Sequence, residues 1–110
     1  MSLLPPLPVP TVAAALPSVL VVEEHEEMRC ALRDWLLTCF PPLRLREARS
    51  MDEALILAGQ APLDLILVNL ELPGPNGIEA ARALHRRYPR ARVVVMSVND
   101  SVALRIAALL

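Results

Sequence analysis

Residues 64–77 read DLILVNLELPGPNG, and this stretch decides the fold. Its aliphatic run, residues 65–68, is bounded by Asp64 and Asn69 and predicts a buried strand. The loop that follows contains two prolines and closes with an Asn-Gly turn pair, which is typical of a sharp change of chain direction. An amide side chain therefore stands at the point where a buried strand ends.

The alternation of strand and helix extends on both sides of this stretch. Ser50 and Glu53 form a capping box at the start of one helix, and Gly59 is predicted to end it. Strands that alternate with helices form a parallel sheet with helices on both faces. Further strands are predicted at residues 19–22, 43–48 and 93–96, and helices at residues 28–39, 50–59 and 78–88 and from Asp100 or Ser101 to Leu110. The apolar stripes predicted to face the core are Met28, Ala31, Leu32, Trp35, Leu36 and Cys39 in the first helix, and Ile78, Ala81, Leu84, His85 and Tyr88 in the third.

The composition fits one small domain. The 110 residues are 55% hydrophobic and 21% charged, which excludes a disordered chain. A formal net charge of -1 gives no general attraction to nucleic acid or to an anionic membrane. All 11 basic residues are Arg, so chemistry that needs a lysine amine is excluded. Cys30 and Cys39 lie about 13 Å apart on one predicted helix, too far for a disulfide, and a reduced cytoplasmic protein is expected.

Residues 1–17 are predicted to form a proline-rich arm or linker ahead of the domain, which spans residues 18–110. The arm holds five prolines, which argue against a helix. No Arg or Lys precedes these prolines, so the positive flank of a signal sequence is lacking, and no membrane association is expected.

Polar side chains follow three of the predicted strands. Glu23 and Glu24 come directly after the first strand, Asn69 after the third and Ser97 after the fourth. Sites in parallel α/β sheets lie at the carboxyl ends of the strands, near a switch in strand order. Two acids, an amide and a hydroxyl at that edge suggest a site for a small anion and a divalent cation.

These strand ends carry a family resemblance. Residues 21–25 (VVEEH), 64–77 (DLILVNLELPGPNG) and 94–97 (VVMS) resemble the first, third and fourth strand ends of bacterial response-regulator receiver domains, in the same order and spacing. The resemblance covers residues 18–110 and implies a flavodoxin-like, doubly wound parallel sheet with strand order 2-1-3-4. Four of the usual five βα units are present, so strand five and helix five are expected to be lacking.

The resemblance also implies roles for individual residues. Receiver domains accept a phosphoryl group from a histidine kinase on an Asp at the end of strand three. By position, the phosphoacceptor is Asn69, the acidic pair is Glu23 and Glu24, and the phosphoryl contact is Ser97. The metal ligands would be the two acids and the backbone carbonyl of Glu71.

Three departures from the receiver pattern decide the predicted function. The carboxamide of Asn69 cannot attack phosphorus and form an acyl phosphate. Glu in place of Asp at both acid positions adds a methylene in a geometry that Mg²⁺ holds strictly. The lysine that follows strand five in receiver domains is absent. We therefore expect no enzyme activity, no cofactor beyond weakly bound Mg²⁺, and a regulatory interaction module that signals or regulates transcription without phosphorylation. Its output domain or protein partner, of helix-turn-helix type in many such proteins, would lie outside this chain.

Two alternatives stay open. A working receiver would need another acid as acceptor, but Asp64 is predicted at the opposite end of strand three and Asp100 as a helix cap. A small-ligand-binding domain of flavodoxin-like fold could use the same cleft, although the chain has no glycine-rich phosphate loop.

The missing fifth strand predicts self-association. Residues 93–96 would form an apolar edge strand with unpaired backbone groups. A second copy of the chain, an exchanged element or the arm is expected to cover that edge, and we predict a homodimer built around strand four and helix four.

Overall fold

The computed structural model describes residues 16–71, 77–98 and 104–109. Within these ranges a single five-stranded sheet has the order β2-β1-β3-β4-β5. The first four strands in this order are parallel, and β5 runs antiparallel to β4. The predicted parallel sheet and its strand order 2-1-3-4 are confirmed. The elements are β1 (Ser18–Val22), α1 (Glu26–Cys39), β2 (Arg44–Ala48), α2 (Met51–Gln60), β3 (Leu65–Asn69), α3 (Gly77–Arg87), β4 (Arg92–Val98) and β5 (Leu104–Leu109).

The strand order creates a crevice at one edge of the sheet. The chain steps from β1 outward to β2, then returns across β1 to form β3 on its other side. The connections after β1 and β3 therefore leave the sheet in opposite directions, and a gap opens between them at the carboxyl ends of the strands. This switch point places the residues that follow β1 next to those that end β3.

The core has two layers, because alternate residues of a strand point to opposite faces. One face of the sheet packs on α1, and the other packs on α2 and α3. The α1 layer contains the buried residues Val19, Val21, Leu32, Leu36, Leu67 and Met96. The opposite layer includes Leu20, Val22, Ile66, Val68, Ala54, Ala58, Ala81 and Leu84.

The helix boundaries and inner faces confirm some predictions and correct others. Ser50 caps α2 as predicted, since its Oγ accepts a hydrogen bond of 3.1 Å from Glu53 N. Gly59 does not end that helix, which continues through Gln60. Trp35 and Ile78, both predicted to face the core, are each 41% exposed. The inner faces instead use Arg29 on α1 and Ala80 on α3.

The predicted final helix is wrong over residues 104–109, which form β5. The physical reason is the edge of β4, whose backbone donors and acceptors need partners that a helix could not supply. The run LRIAAL is short and apolar, a pattern that fits a buried helix or a strand equally well. The expected open edge at β4 is therefore also wrong. Residues 1–15 of the predicted arm, and Asp100 and Ser101, lie outside the described residues.

No helix within the described ranges is long and apolar enough to cross a membrane.

Candidate functional site at the strand ends

An open cleft of about 400 Å³ lies at the switch point between β1 and β3. We call it the strand-end cleft. One part of its wall is polar and the other is apolar, so it could receive a group with a charged end. The polar lining consists of Glu23, His25, Glu27, Asn69 and Glu71, and the apolar lining of Met28, Ala31, Leu32 and Met96.

Glu23 is the most deeply buried of the acidic side chains at the cleft. It is 1% exposed, and its backbone N–H donates to Ala48 O over 2.9 Å, which extends the β1–β2 ladder by one residue. Its carboxylate Oε1 accepts a hydrogen bond of 3.0 Å from His25 N and lies 3.1 Å from His25 Nδ1. A buried carboxylate needs hydrogen-bond partners, and the turn into α1 supplies both contacts to this oxygen.

Arg29 fixes the same turn from inside α1. The side chain is 7% exposed, and Nη1 donates to the carbonyl oxygens of Glu23 (3.1 Å) and Glu24 (3.3 Å). Its Nε lies 3.6 Å from Glu47 Oε1 on β2. One guanidinium therefore ties together β1, β2 and the first turn of α1, and it brings a positive charge behind the acidic residues of the cleft.

A chain of hydrogen bonds links β3 to β4 on the other side of the cleft. Asn69 Oδ1 accepts a bond of 3.0 Å from Glu71 N, and Ser97 Oγ donates to Glu71 Oε1 over 3.2 Å. The backbone continues the link, because Leu70 N donates to Met96 O over 2.8 Å. Glu71 thus connects Asn69 at the end of β3, through its backbone N–H, with Ser97 near the end of β4, through its carboxylate.

The structure brings most of the predicted site residues together. Glu23, Asn69 and Glu71 line one cleft, and Ser97 reaches it through Glu71. Glu24 is exposed and is not part of the lining. Asp64 lies at the opposite end of the sheet, as predicted, where its Oδ2 accepts a bond of 2.8 Å from Ser18 N.

The donor set fits Mg²⁺ poorly. Mg²⁺ requires near-octahedral oxygen ligands and is usually held by one or two carboxylates. Here Glu23 Oε1 is already engaged by His25, Glu24 does not line the cleft, and Asn69 contributes no charge. Among the described residues no three His, Cys, Asp or Glu side chains cluster as a metal site would require. The predicted ligands, two carboxylates and the Glu71 carbonyl, stay a prediction.

Three features of the site were not anticipated from the sequence: the His25–Glu23 contact, the burial of Arg29 and the hydrogen bond to the Glu71 side chain. The burial of Arg29 could have been predicted, because Arg29 stands three and seven residues before Leu32 and Leu36, the two buried leucines of α1. A charged residue on a buried stripe indicates a partner inside the fold. The hydrogen bond to the Glu71 carboxylate could not have been predicted, since its partner Ser97 is 26 residues away in the chain.

A parallel α/β sheet with acids after the first strand and a polar residue ending the third defines a receiver-type module. Residues 19–110 match the response regulator receiver domain. The chain belongs to the response regulator receiver domain family.

Among curated relatives, the chain is 33% identical over 86 residues to the transcriptional activator protein ExaE of Pseudomonas putida, covering 78% of this chain and 40% of that protein. It is 30% identical over 84 residues to the nitrate/nitrite response regulator protein NarL of Escherichia coli (strain K12), covering 76% and 38%. The chain thus spans about two fifths of the length of the curated relatives that it matches.

Solved structures give the same fold. A response regulator protein from Burkholderia pseudomallei, with a phosphorylated aspartic acid, calcium ion and citrate, has 29% identity and a TM-score of 0.66, covering 76% of this chain and 48% of that one. A response regulator from Thermotoga maritima has 23% identity and a TM-score of 0.67, covering 76% and 68%.

Proposed function

We propose that this chain is a receiver domain that acts through protein contacts without accepting a phosphoryl group. The observation that carries the proposal is Asn69 at the end of β3, where a receiver needs a carboxylate nucleophile. The nitrogen and oxygen of a carboxamide are far weaker nucleophiles than a carboxylate oxygen. The domain would then be a regulatory module and not an enzyme.

The hydrogen bonds of the strand-end cleft support this proposal. In a phosphorylated receiver the hydroxyl at the end of strand four contacts the phosphoryl oxygens. Here Ser97 Oγ donates instead to the Glu71 carboxylate, and Glu71 N donates to Asn69 Oδ1. These groups need no phosphoryl oxygen to satisfy them, so the link between β3 and β4 is complete in the unmodified chain.

The rival proposal, a receiver that uses another acid, finds little support among the described carboxylates. Asp64 binds Ser18 N at the far end of the sheet. Glu23 is buried against His25, and Glu71 is held by Ser97. Each acid near β3 thus has a structural partner that a phosphoryl transfer would displace.

The size of the strand-end cleft favours a second candidate function, the binding of a small ligand. A volume of about 400 Å³ lies within the range of ligand pockets, and apolar walls with a few polar groups are typical of them. The ligand would carry an apolar part against Met28 and Leu32. Thermal-shift screening against small amphipathic molecules, with Leu32→Asn as a variant of the wall, tests this function.

The partner of the domain is an output domain or a separate protein, because the curated relatives are regulators more than twice as long as the matched region. ExaE is a transcriptional activator, so transcription is the process that we propose for the whole protein. We propose a cytoplasmic location and no direct contact with nucleic acid, consistent with a net charge of -1.

The predicted homodimer was expected to form around an open edge of β4, but β5 occupies that edge. Light scattering over a range of concentrations tests whether the chain forms a dimer.

Phosphorylation is tested with a small phosphodonor. The chain is incubated with acetyl phosphate and Mg²⁺ and read by intact mass, beside a receiver that carries the acceptor Asp as a positive control. We expect no added phosphoryl group on this chain. A base-labile phosphoryl group on the unmutated chain would contradict the proposal.

Asn69→Asp separates the missing nucleophile from the other departures. The variant restores the carboxylate, and slow gain of a phosphoryl group would show that Asn69 alone blocks the reaction. No gain would show that another departure of the site, such as the altered acid pair, also prevents phosphorylation. Under either result the unmutated chain, with Asn69, is expected to stay unphosphorylated.

A further inference from the structure

Outside the cleft, two exposed aromatic rings contact each other at the end of α1. The chain contains three aromatic residues, and two of them, Trp35 and Phe40, are 41% and 46% exposed. Their ring centroids are 5.3 Å apart and their planes are nearly perpendicular, at 88°. An ordered edge-to-face pair at the surface is costly to leave in water and offers a binding surface. We call these two residues the aromatic patch.

The aromatic patch lies at the same end of the domain as the root of the N-terminal arm. α1 runs back along the sheet from the strand-end cleft, so Phe40 lies at the amino-terminal ends of the strands. Pro17 lies there too, since its carbonyl oxygen accepts a hydrogen bond of 2.8 Å from Arg44 N. Phe40 is four residues before Arg44, a separation of at most about 14 Å.

We propose that residues 5–10 of this chain pack across the aromatic patch. They read PPLPVP, four prolines with two aliphatic residues between them, and no charged residue occurs before Glu23. Proline-rich segments adopt the polyproline II conformation with little loss of entropy and bind to surfaces lined with aromatic rings. The chemistry of the segment and that of the patch are therefore complementary.

The length of the arm allows this contact within one chain. Pro17 comes seven positions after Pro10, and at about 3.1 Å per residue this stretch spans about 22 Å. That reach exceeds the distance from Phe40 to the root of the arm, which is at most about 19 Å, since Pro17 lies one strand spacing of about 5 Å from Arg44. Because the arm is tethered, its local concentration at the patch is in the millimolar range, which favours it over a free partner.

Trp35 is the single tryptophan of the chain, so its fluorescence reports on the patch directly. The experiment compares the full chain with a variant in which Pro5, Pro6, Pro8 and Pro10 are replaced by Ser. If residues 5–10 cover the ring, acrylamide quenches the parent roughly half as strongly as the variant, and the variant emits at longer wavelength. Equal quenching and equal emission would overturn the proposal.

Two controls assign the effect to the segment and to the patch. Four serines placed at residues 11–14 leave the proline segment intact, so Trp35 should stay shielded. Phe40→Ser should abolish the difference that the proline replacements make, whereas Leu37→Ser, on another side of α1, should not. Loss of the difference in Leu37→Ser as well would argue against the patch.

Dilution distinguishes the occupant. Shielding within one chain is independent of protein concentration, whereas shielding by the arm of a second copy declines on dilution, in step with the mass from light scattering. A concentration-dependent result would overturn the intramolecular contact. None of these outcomes depends on phosphorylation, so the test is independent of the function proposed above.

Discussion

Gly77, the first residue of α3, lies in close backbone contact with the end of β3, and this makes a specific prediction about Gly77→Ala. A Cβ at this position would overlap the backbone of Asn69 and Leu70, approaching the carbonyl carbon of Leu70 to 2.7 Å. The approach is enforced by a hydrogen bond of 2.8 Å from Gly77 N to Leu70 O. Backbone atoms cannot move aside as the tip of a flexible side chain can, so the backbone at Leu70 or at the start of α3 must shift.

The magnitude follows from two opposing effects. Ala is favoured over Gly in a helix by up to about 1 kcal/mol, and less at a first residue such as Gly77. Overpacking in a closed site costs about 1–3 kcal/mol. We expect the free energy of unfolding to fall by about 2 kcal/mol, which lowers the melting temperature of a domain of this size by about 10 °C.

Gly59→Ala is the matched control. Gly59 also lies in a helix, but a Cβ there would sit 3.5 Å from the Tyr88 hydroxyl, an ordinary contact. We expect this variant to gain about 0.5 kcal/mol, because Ala restricts the unfolded chain. Urea unfolding followed by circular dichroism measures both. If Gly77→Ala proves as stable as the parent, the close approach between Gly77 and Leu70 does not constrain the backbone, and the reasoning fails.

Three further substitutions test the packing and the cleft. Ser50→Ala removes the cap of α2 and should cost about 1 kcal/mol in urea unfolding, with Ser50→Gly costing a few tenths. Leu84→Ala empties a fully buried site between α3 and the sheet and should cost about 2–5 kcal/mol, whereas Ile56→Ala, at a side chain 63% exposed, should cost little. Arg29→Met leaves the carbonyls of Glu23 and Glu24 without their donor, and we expect a loss of about 1–3 kcal/mol together with faster amide exchange at His25; unchanged exchange there would show that Arg29 does not hold the turn.

Much of the sheet could be predicted because local pattern and global fold agree over most of the chain. The aliphatic runs at β1 and β3 are bounded by polar residues, and Ser50 marks the start of α2 without ambiguity. Register and strand order then follow from the rules for parallel βα units. These features depend on near neighbours in the sequence.

The errors arose where distant contacts decide the outcome. Residues 104–109 have a composition suited to a helix, and only the edge of β4 selects a strand. Trp35 fits the helical period of the core stripe, but α1 has turned Arg29 inward and left the indole at the surface. The placement of Glu23, Asn69 and Ser97 could be predicted from strand ends, whereas the bond from Ser97 to Glu71 required the structure.

The antiparallel pairing of β5 with β4 also bears on the order in which the domain assembles. These two strands are joined by a few residues, so closing the connection between them costs little chain entropy. In the chain, β1 and β3 are separated by α1, β2 and α2, so their pairing closes a much longer loop. Contacts between near neighbours form faster than contacts that span such an excursion. Folding should therefore start with the β4–β5 hairpin, and the pairing of β1 with β3 should form last.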